Sequence, residues 1–600
     1  MELRHYLSVA DYAVIAVFLL FSVAIGIKFR LSGNRQQTVL EYLFAGKNMS
    51  TLPVVLSIIA TLTATGTMIS TPAEVYRYGI QHLITPFGTA FGMYLSSHLY
   101  VPVYFQCGVS TAYEFLEMRY GKNTRYAISA IFLIQTVLIV SSVLLGPALA
   151  LSAVTNLSIS TSIFLVGGVC TFYCTLGGLK AVLWTDVLQA MLMFTCVIAF
   201  FSAGLVDTGG VFKIYERAIE GKRMNLFNFR LDFMTRYTFW NCLFRGFVHG
   251  LGSYGTGQME VQRMLSLKTS DKASRALQIS ILPILLLHVM CNSAGLILYS
   301  LFHFCDPILN TNQTKLTKYD QMVPYYIVNR FSSYPGLTGL CISGIFSGSL
   351  STVSSALNSL STVTVVDYIQ PLFPGMTESK NVFLAKLLCF LYGIVGIGIT
   401  YIFLNVQSLK QFVTSITVFE GSILAVFLIG ILTRKADDNC IIFGTVLSVP
   451  IIAWLSFGAL FSGYKEPPLA LNNHLSAINS SSQMPNFTTR CIDESTNIQT
   501  TILLPTYKSD IFVLYKISFQ WLPVLSFFCT SFMIFLMIII TGWNKNAINF
   551  NSKCLSPMTR FWIKEQKQTD ESFLPANDID LQKQIVSNPD HTTTLLPDTI

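Results

Sequence analysis

GIFSGSLSTVSSALNSLSTVT, Gly344 to Thr364, is the stretch on which the fold turns. It carries no charge and no proline, and its background is apolar. Ser347, Ser351, Ser354, Ser355 and Asn358 recur at three- and four-residue spacing, so a helix gathers them into one polar stripe with Thr352 beside it. Such a stripe has two uses. It lets helices approach closely, or it presents neutral oxygens to a hard monovalent cation, where Ca²⁺ would call for several carboxylates. The length of the stripe and the adjacent Thr352 favour the ion.

The surrounding chain places this helix in a membrane. Charged residues make up 12% of the 600, about half the share usual in soluble proteins. The apolar fraction is 52% and the mean hydropathy +0.55. Windows of roughly 20 apolar residues mark about thirteen spans, near 10–28, 51–71, 82–105, 126–152, 159–178, 182–206, 237–258, 277–303, 336–366, 382–404, 411–433, 440–462 and 517–542. The expected fold is therefore an all-α polytopic membrane protein, with a transmembrane domain over 1–545 and a polar, disordered cytoplasmic tail over 546–600. Tyr12 to Ile27 follows only Arg4 and His5 and lacks a cleavage pattern, so it reads as a retained first span.

Loop charges orient the chain. Lys28, Arg30, Arg35, Lys47, Arg119, Lys122, Arg125, Arg263, Lys268, Lys272, Arg275, Arg434 and Lys435 share one side if the N-terminus is outside and the C-terminus inside. The sequons at Asn312, Asn479 and Asn486 then fall outside, as glycosylation requires, which points to a multi-pass plasma-membrane glycoprotein. Cys305 and Cys491 share those outer loops, as a disulfide or as two unrelated thiols. The net charge of +8 is scattered and suits loops against anionic lipid, not a nucleic-acid surface. The ending Asp598-Thr599-Ile600 matches a PDZ ligand, a match short enough to arise by chance.

Two further segments carry polar groups at membrane depth. Ser57 to Thr71 holds Ser57, Thr61, Thr63, Thr65, Gly66, Thr67, Ser70 and Thr71. These hydroxyls either bond back to their own helix or face a cavity from a partly unwound one. In GGLKAVLWTDVLQ, Gly177 to Gln189, Asp186 stands just inside a span with Gln189 one turn on. A membrane carboxylate is a functional candidate, although a helix N-terminus also favours an Asp. The irregular segments 51–71 and 237–258 each open a block of five spans, repeat one over about 51–206 and repeat two over about 237–433, the arrangement of inverted repeats around a midplane site. The spans 10–28, 440–462 and 517–542 lie outside the repeats. No H-E-x-x-H, G-x-S-x-G or P-loop string occurs, and no Cys/His cluster has metal spacing, so an enzyme is not expected.

At these motifs the chain resembles the sodium:solute symporter family, in the branch of the sodium-coupled multivitamin, monocarboxylate and iodide transporters. The stretches that carry the resemblance are Pro72–Gly79, Ser110–Tyr120, Thr171–Gln189, Tyr254–Arg263, Tyr334–Leu340 and Phe346–Thr364. It implies a LeuT-like fold, alternating access and Na⁺ as coupling ion without another cofactor. It implies a main sodium site on the Ser351 and Thr352 hydroxyls and the carbonyls of Ala60, Thr63 and Gly348. A second cation site falls on Asp186, Ser354 and Ser355 with Gln189 nearby, and a solute cavity around Thr67, Tyr254 and Gln258. The solute it implies is a small organic anion such as a monocarboxylate or vitamin-like acid, or iodide. Arg245 and Glu420 depart from the family pattern, which has small residues there; they either pair with each other or leave Arg245 and His249 to meet a substrate carboxylate. The rival readings are a channel or solute sensor on the same fold, and a carrier driven by protons through Asp186 or Glu420.

Overall fold

A computed structural model of the chain describes residues 7–31, 38–155, 157–303, 306–308, 314, 316–404, 416, 418–462, 464, 466–470, 511–542, 548 and 552–561. Every regular element among them is helical. The sequons, Cys305, Cys491 and the PDZ-like ending lie outside the described residues. In chain order the helices used below are α1 (Val9–Leu31), α2 (Thr51–Leu62), α3 (Thr71–Tyr78), α4 (Ile84–Leu99), α5 (Val101–Cys107), α6 (Ala112–Arg119), α7 (Lys122–Val154) and α8 (Ile159–Thr208). They continue with α9 (Phe239–Thr256), α10 (Gln258–Leu265), α11 (Ser270–Leu301), α12 (Leu337–Val363), α13 (Glu378–Ile402), α14 (Val418–Leu432), α15 (Asp438–Phe461) and α16 (Leu522–Thr541).

Eight described helices are long and apolar enough to cross a bilayer, or nine if the pair Val39–Lys47 and α2, bent by 103°, is one span. The shortfall from the thirteen expected windows has local causes. The window 51–71 is interrupted after Leu62, and 82–105 divides into α4 and α5, the latter with Pro102 in its first turn. α9 carries Arg245 and His249, and α14 is described over only 15 residues.

The windows 159–178 and 182–206 form the single 50-residue α8, interrupted at Gly178. Tyr173 Oη, before the interruption, donates to Leu350 O, while Leu192 and Cys196, after it, abut Gly344. Along a straight helix Tyr173 and Leu192 would stand about 28 Å apart, against about 9 Å between Leu350 and Gly344 on α12. The chain must therefore fold back at Gly178, whose φ of +62° suits glycine.

The polar stripe sits where burial is deepest. The apolar window of α12 is 94% buried, against 22% for that of α1, so α12 is the central post and α1 a lipid-facing helix. Its hydroxyls meet α2, α8 and α10, not lipid. Elsewhere the helices close on small residues: a Cβ on Gly246 of α9 would lie 2.1 Å from Thr85 O, and one on Gly88 of α4 would lie 2.2 Å from Leu243 O. Backbones this near require glycine on both sides. The start of the expected disordered tail is anchored, with Ser556 N donating to Ile431 O at 3.0 Å.

Candidate functional site

α2 ends because Thr63 leaves helical geometry, at φ −90° and ψ 60°, and the chain resumes as a short π-helical stretch, Gly66–Ser70, leading into α3. The interruption is wedged against α12. Thr352 Oγ1 lies 3.0 Å from Thr61 O and 2.9 Å from Gly348 O, and Ser351 Oγ lies 3.0 Å from Thr61 Oγ1. Gly348 admits this approach, since a Cβ there would stand 2.7 Å from Thr63 O. Thr65 Oγ1 donates to Ile345 O at 2.7 Å and accepts from Ser349 Oγ. Ala60 is fully buried one residue before Thr61, and it is the Thr61 carbonyl that Thr352 reaches. Thr63 Oγ1 is buried with no hydrogen-bond partner among the described residues. The stripe thus divides: Ser347 and Ser354 bond back to Ser343 O and Ser351 O, while Ser351 and Thr352 reach across to α2.

Behind this meeting of oxygens lies a charged cluster that the sequence did not assemble. Asp186 accepts from Ser57 Oγ at 2.5 Å and faces Arg263 Nη2 at 3.6 Å. Arg263, wholly buried on α10, donates from Nε to Ser57 Oγ at 2.7 Å, from Nη1 to Met259 O at 3.1 Å, and from Nη2 to the hydroxyls of Thr61 and Ser355. Glu260 closes it at 2.9 Å from Nη1. Arg263 therefore already engages Asp186 and Ser355, two residues expected to hold a second cation. Asp186 Oδ1 and both amide atoms of Gln189 are buried without a hydrogen-bond partner among the described residues.

A cavity of about 290 Å³ opens beside both clusters, and Thr61 and Thr352 form part of its wall. Thr67, Tyr254, Arg245 and His249 line it, as do Glu420, Glu260, Gln135, His82 and His288. Gln258 is not on this wall: its Oε1 accepts from Ala112 N at 2.8 Å and so ties α10 to α6. α9 breaks at Gly257, whose ψ of 118° is extended, and Tyr104 of α5 donates to Gly255 O just before the break. Arg245 Nη1 stands 4.0 Å from Glu420, at the outer limit of an ion pair. Nearer to Glu420 are His249 Nδ1 at 3.1 Å and Ser253 Oγ at 2.5 Å. The expected Arg245–Glu420 pairing is thus present but secondary.

The signal for Arg263 was visible in part. Glu260 and Arg263 are an i,i+3 pair on one helix face, and Ser57 and Thr61 belong to the hydroxyl-rich run. Their convergence on Asp186 is tertiary and has no local mark.

The family model described as the sodium:solute symporter family matches residues 42–448. The chain is 35% identical over 546 residues to a putative sodium-dependent multivitamin transporter of Drosophila melanogaster, covering 89% of this chain and 88% of that protein. It is 33% identical to sodium-coupled monocarboxylate transporter 1 of Homo sapiens, over 90% of this chain and 88% of that one. Among solved structures, a substrate-bound, outward-open Na⁺-coupled sialic acid symporter superposes with a TM-score of 0.71 at 19% identity, covering 89% of this chain and 98% of the other, so the two share a fold. The chain belongs to the sodium:solute symporter family.

Proposed function

We propose that the chain is a sodium-driven symporter that brings a small organic anion, a monocarboxylate or vitamin-like acid, across the plasma membrane by alternating access. The observation that carries this reading is the meeting of Thr352 Oγ1 with Thr61 O and Gly348 O at the edge of the cavity. Two helices supply neutral oxygens there, and α2 unwinds immediately beyond, which leaves carbonyls outside helical bonding. A hard cation takes such donors. In this reading Ser351, Thr352 and the carbonyls of Gly348, Thr63 and the Ala60–Thr61 turn hold Na⁺. The unpartnered oxygens of Asp186 and Gln189, with Ser354 and Ser355, receive a second cation beside Arg263.

The cation ties α12 to the broken second span and so favours one arrangement of the bundle; its release inside lets the bundle rock. The solute occupies the cavity bordered by Thr67, Tyr254, Arg245 and His249. The names of the relatives support the anion class. The shared fold and the two broken helices support inverted repeats of five spans, and the loop charges support an N-terminus outside and a C-terminus inside.

The test is uptake of labelled lactate, nicotinate, biotin, pantothenate and iodide, each with and without Na⁺, by the wild type and by Ser351→Ala with Thr352→Ala. The double variant should reach the surface normally and lose apparent Na⁺ affinity by about tenfold or more. Unchanged Na⁺ dependence removes the site, and uptake that ignores Na⁺ but follows pH shows proton coupling instead.

A further inference from the structure

Arg245, His249 and Ser253 recur every four residues on α9, so they share one face. Glu420 of α14 meets that face. His249 Nδ1 lies 3.1 Å from both Glu420 oxygens and 3.2 Å from Ser253 Oγ, which itself donates to Glu420 Oε1 at 2.5 Å. An ionised carboxylate offers only lone pairs. The Ser253 proton is committed to Oε1, so the ring hydrogen that reaches Glu420 sits on Nδ1, and the network fixes the tautomer. The other nitrogen, Nε2, belongs to a ring that lines the cavity with 29% of its side chain exposed. In the neutral ring Nε2 is a lone pair, an acceptor; with a second proton it becomes an N–H donor.

We propose that His249 Nε2 sets which small acids the cavity prefers. While neutral it takes a hydrogen-bond donor on the solute, as in a 2-hydroxy monocarboxylate; once protonated it gives a hydrogen bond to the carboxylate itself. The inference rests on the reading of this cavity as the solute site. Arg245 is one turn away on the same face, about 5–6 Å between Cβ atoms, which suits a solute with a carboxylate and a hydroxyl on adjacent carbons. A site that presents a lone pair to a solute hydroxyl discriminates against the analogue without it, because its own acceptor is then left unpaired. Protonation of Nε2 removes this discrimination: a carboxylate oxygen is a stronger acceptor than a hydroxyl, and the hydroxyl loses its advantage.

The other charged or titratable groups bordering this point are Glu420, Arg245 and Glu260. His82, held at Nδ1 by Asn292 Oδ1, and His288, held at Nδ1 by Ile284 O, border the same cavity from other helices. A pH effect in the wild type alone would not tell these imidazoles apart. A substitution confined to His249 does so. His249→Asn keeps an amide donor at the place of Nδ1, within reach of Glu420, and removes Nε2.

The experiment uses the full chain in proteoliposomes with an inward Na⁺ gradient and equal pH on both faces, set to about 8 and about 6, either side of the range in which an imidazole changes charge. Lactate and propionate compete for Na⁺-dependent uptake, with Na⁺-free blanks subtracting passive entry of the undissociated acids. The expected result is a preference for lactate of about tenfold at the higher pH that falls towards parity at the lower. In His249→Asn the lactate-to-propionate ratio should not change with pH. The inference is overturned if the wild-type ratio is the same at both pH values, or if His249→Asn follows the wild-type curve. Where that variant does not fold, His249→Gln takes its place, since its amide does not titrate either, and a ratio in it that follows the wild-type curve overturns the inference. Absence of Na⁺-dependent uptake of both acids at either pH overturns this inference, whereas the proposed function falls only if nicotinate, biotin and pantothenate also show no Na⁺-dependent uptake.

Discussion

Replacing Arg263 with Gln tests the charged cluster where its cost is greatest. The guanidinium is wholly buried and serves Glu260 at 2.9 Å, Asp186 at 3.6 Å, Ser57 at 2.7 Å, Met259 O at 3.1 Å and the hydroxyls of Thr61 and Ser355. Its removal leaves two buried carboxylates without their cation. Removing one partner of a buried ion pair costs about 3–5 kcal/mol, because the other charge stays behind. Three hydroxyls also lose a charge-assisted bond, each worth about 1.5–3 kcal/mol before rebonding. The glutamine amide restores one or two of these bonds and no charge, so a net loss of about 4 kcal/mol is expected.

The companion Glu260→Gln removes one stranded carboxylate. If the energy lies in the ion pair, the double variant should recover about 2 kcal/mol relative to the sum of the singles. The assay is the apparent unfolding midpoint of the detergent-purified chain, followed with a thiol-reactive dye through its buried cysteines. Arg263→Lys is the informative intermediate, since a lysine keeps the charge but not the fork that reaches Ser57, Thr61 and Ser355 together. A single variant as stable as the wild type, or losses that simply add, would show that the cluster is not held by its charge.

Two other perturbations bear on helix packing and on the segment after α16. Gly246→Val should abolish surface expression, because its Cβ would lie 2.1 Å from Thr85 O, whereas Gly168→Ala, which meets nothing within 4 Å, should express as the wild type does. Equal expression of the two, by surface biotinylation, would refute close α4–α9 packing. The Cys107 thiol reaches Lys553 O at 3.4 Å, beside Cys554, whose own thiol is pushed down to about 7, first by hydrogen bonding with Cys107 and then by Ser552 and the Arg119 charge, with burial opposing. A depressed thiol is more thiolate at neutral pH, so Cys107→Ala should slow maleimide labelling of Cys554 about tenfold at about pH 7 and far less at about pH 9. Mass spectrometry of the Cys554 peptide reads the rate, and an unchanged rate at the lower pH removes that hydrogen bond.

What the sequence told in advance was whatever a single helix writes into its own period. The stripe on α12 was legible because its register is local: three- and four-residue spacing puts Ser351 and Ser355 on one face whatever lies opposite. The same holds for the unwinding after Leu62, which a hydroxyl-rich run around Gly66 foreshadows. Counting spans was less secure, since hydropathy treats as one class a lipid-facing helix such as α1 and a helix such as α9 that turns Arg245 and His249 towards a cavity.

The contacts that matter most chemically were the least legible. The resemblance named the Ala60 carbonyl for the cation, and the carbonyl that Thr352 itself reaches is that of Thr61, one residue on, a contact set by where the helical bonding of α2 fails. Gln258 and Thr67 looked equally suited to a solute wall, yet the break at Gly257 rotates Gln258 towards Ala112 and leaves Thr67 beside the cavity. Arg263 is the strongest instance. An arginine after a carboxylate on a short helix reads as an ordinary i,i+3 pair. Only when α2, α8, α10 and α12 converge does it prove to join Asp186, Ser57 and Ser355. A buried guanidinium is stable only with several partners at once. Its presence at the end of α10 therefore constrains all four helices to meet there, and any motion that carries α12 away from α2 must either take Arg263 along or replace its bonds.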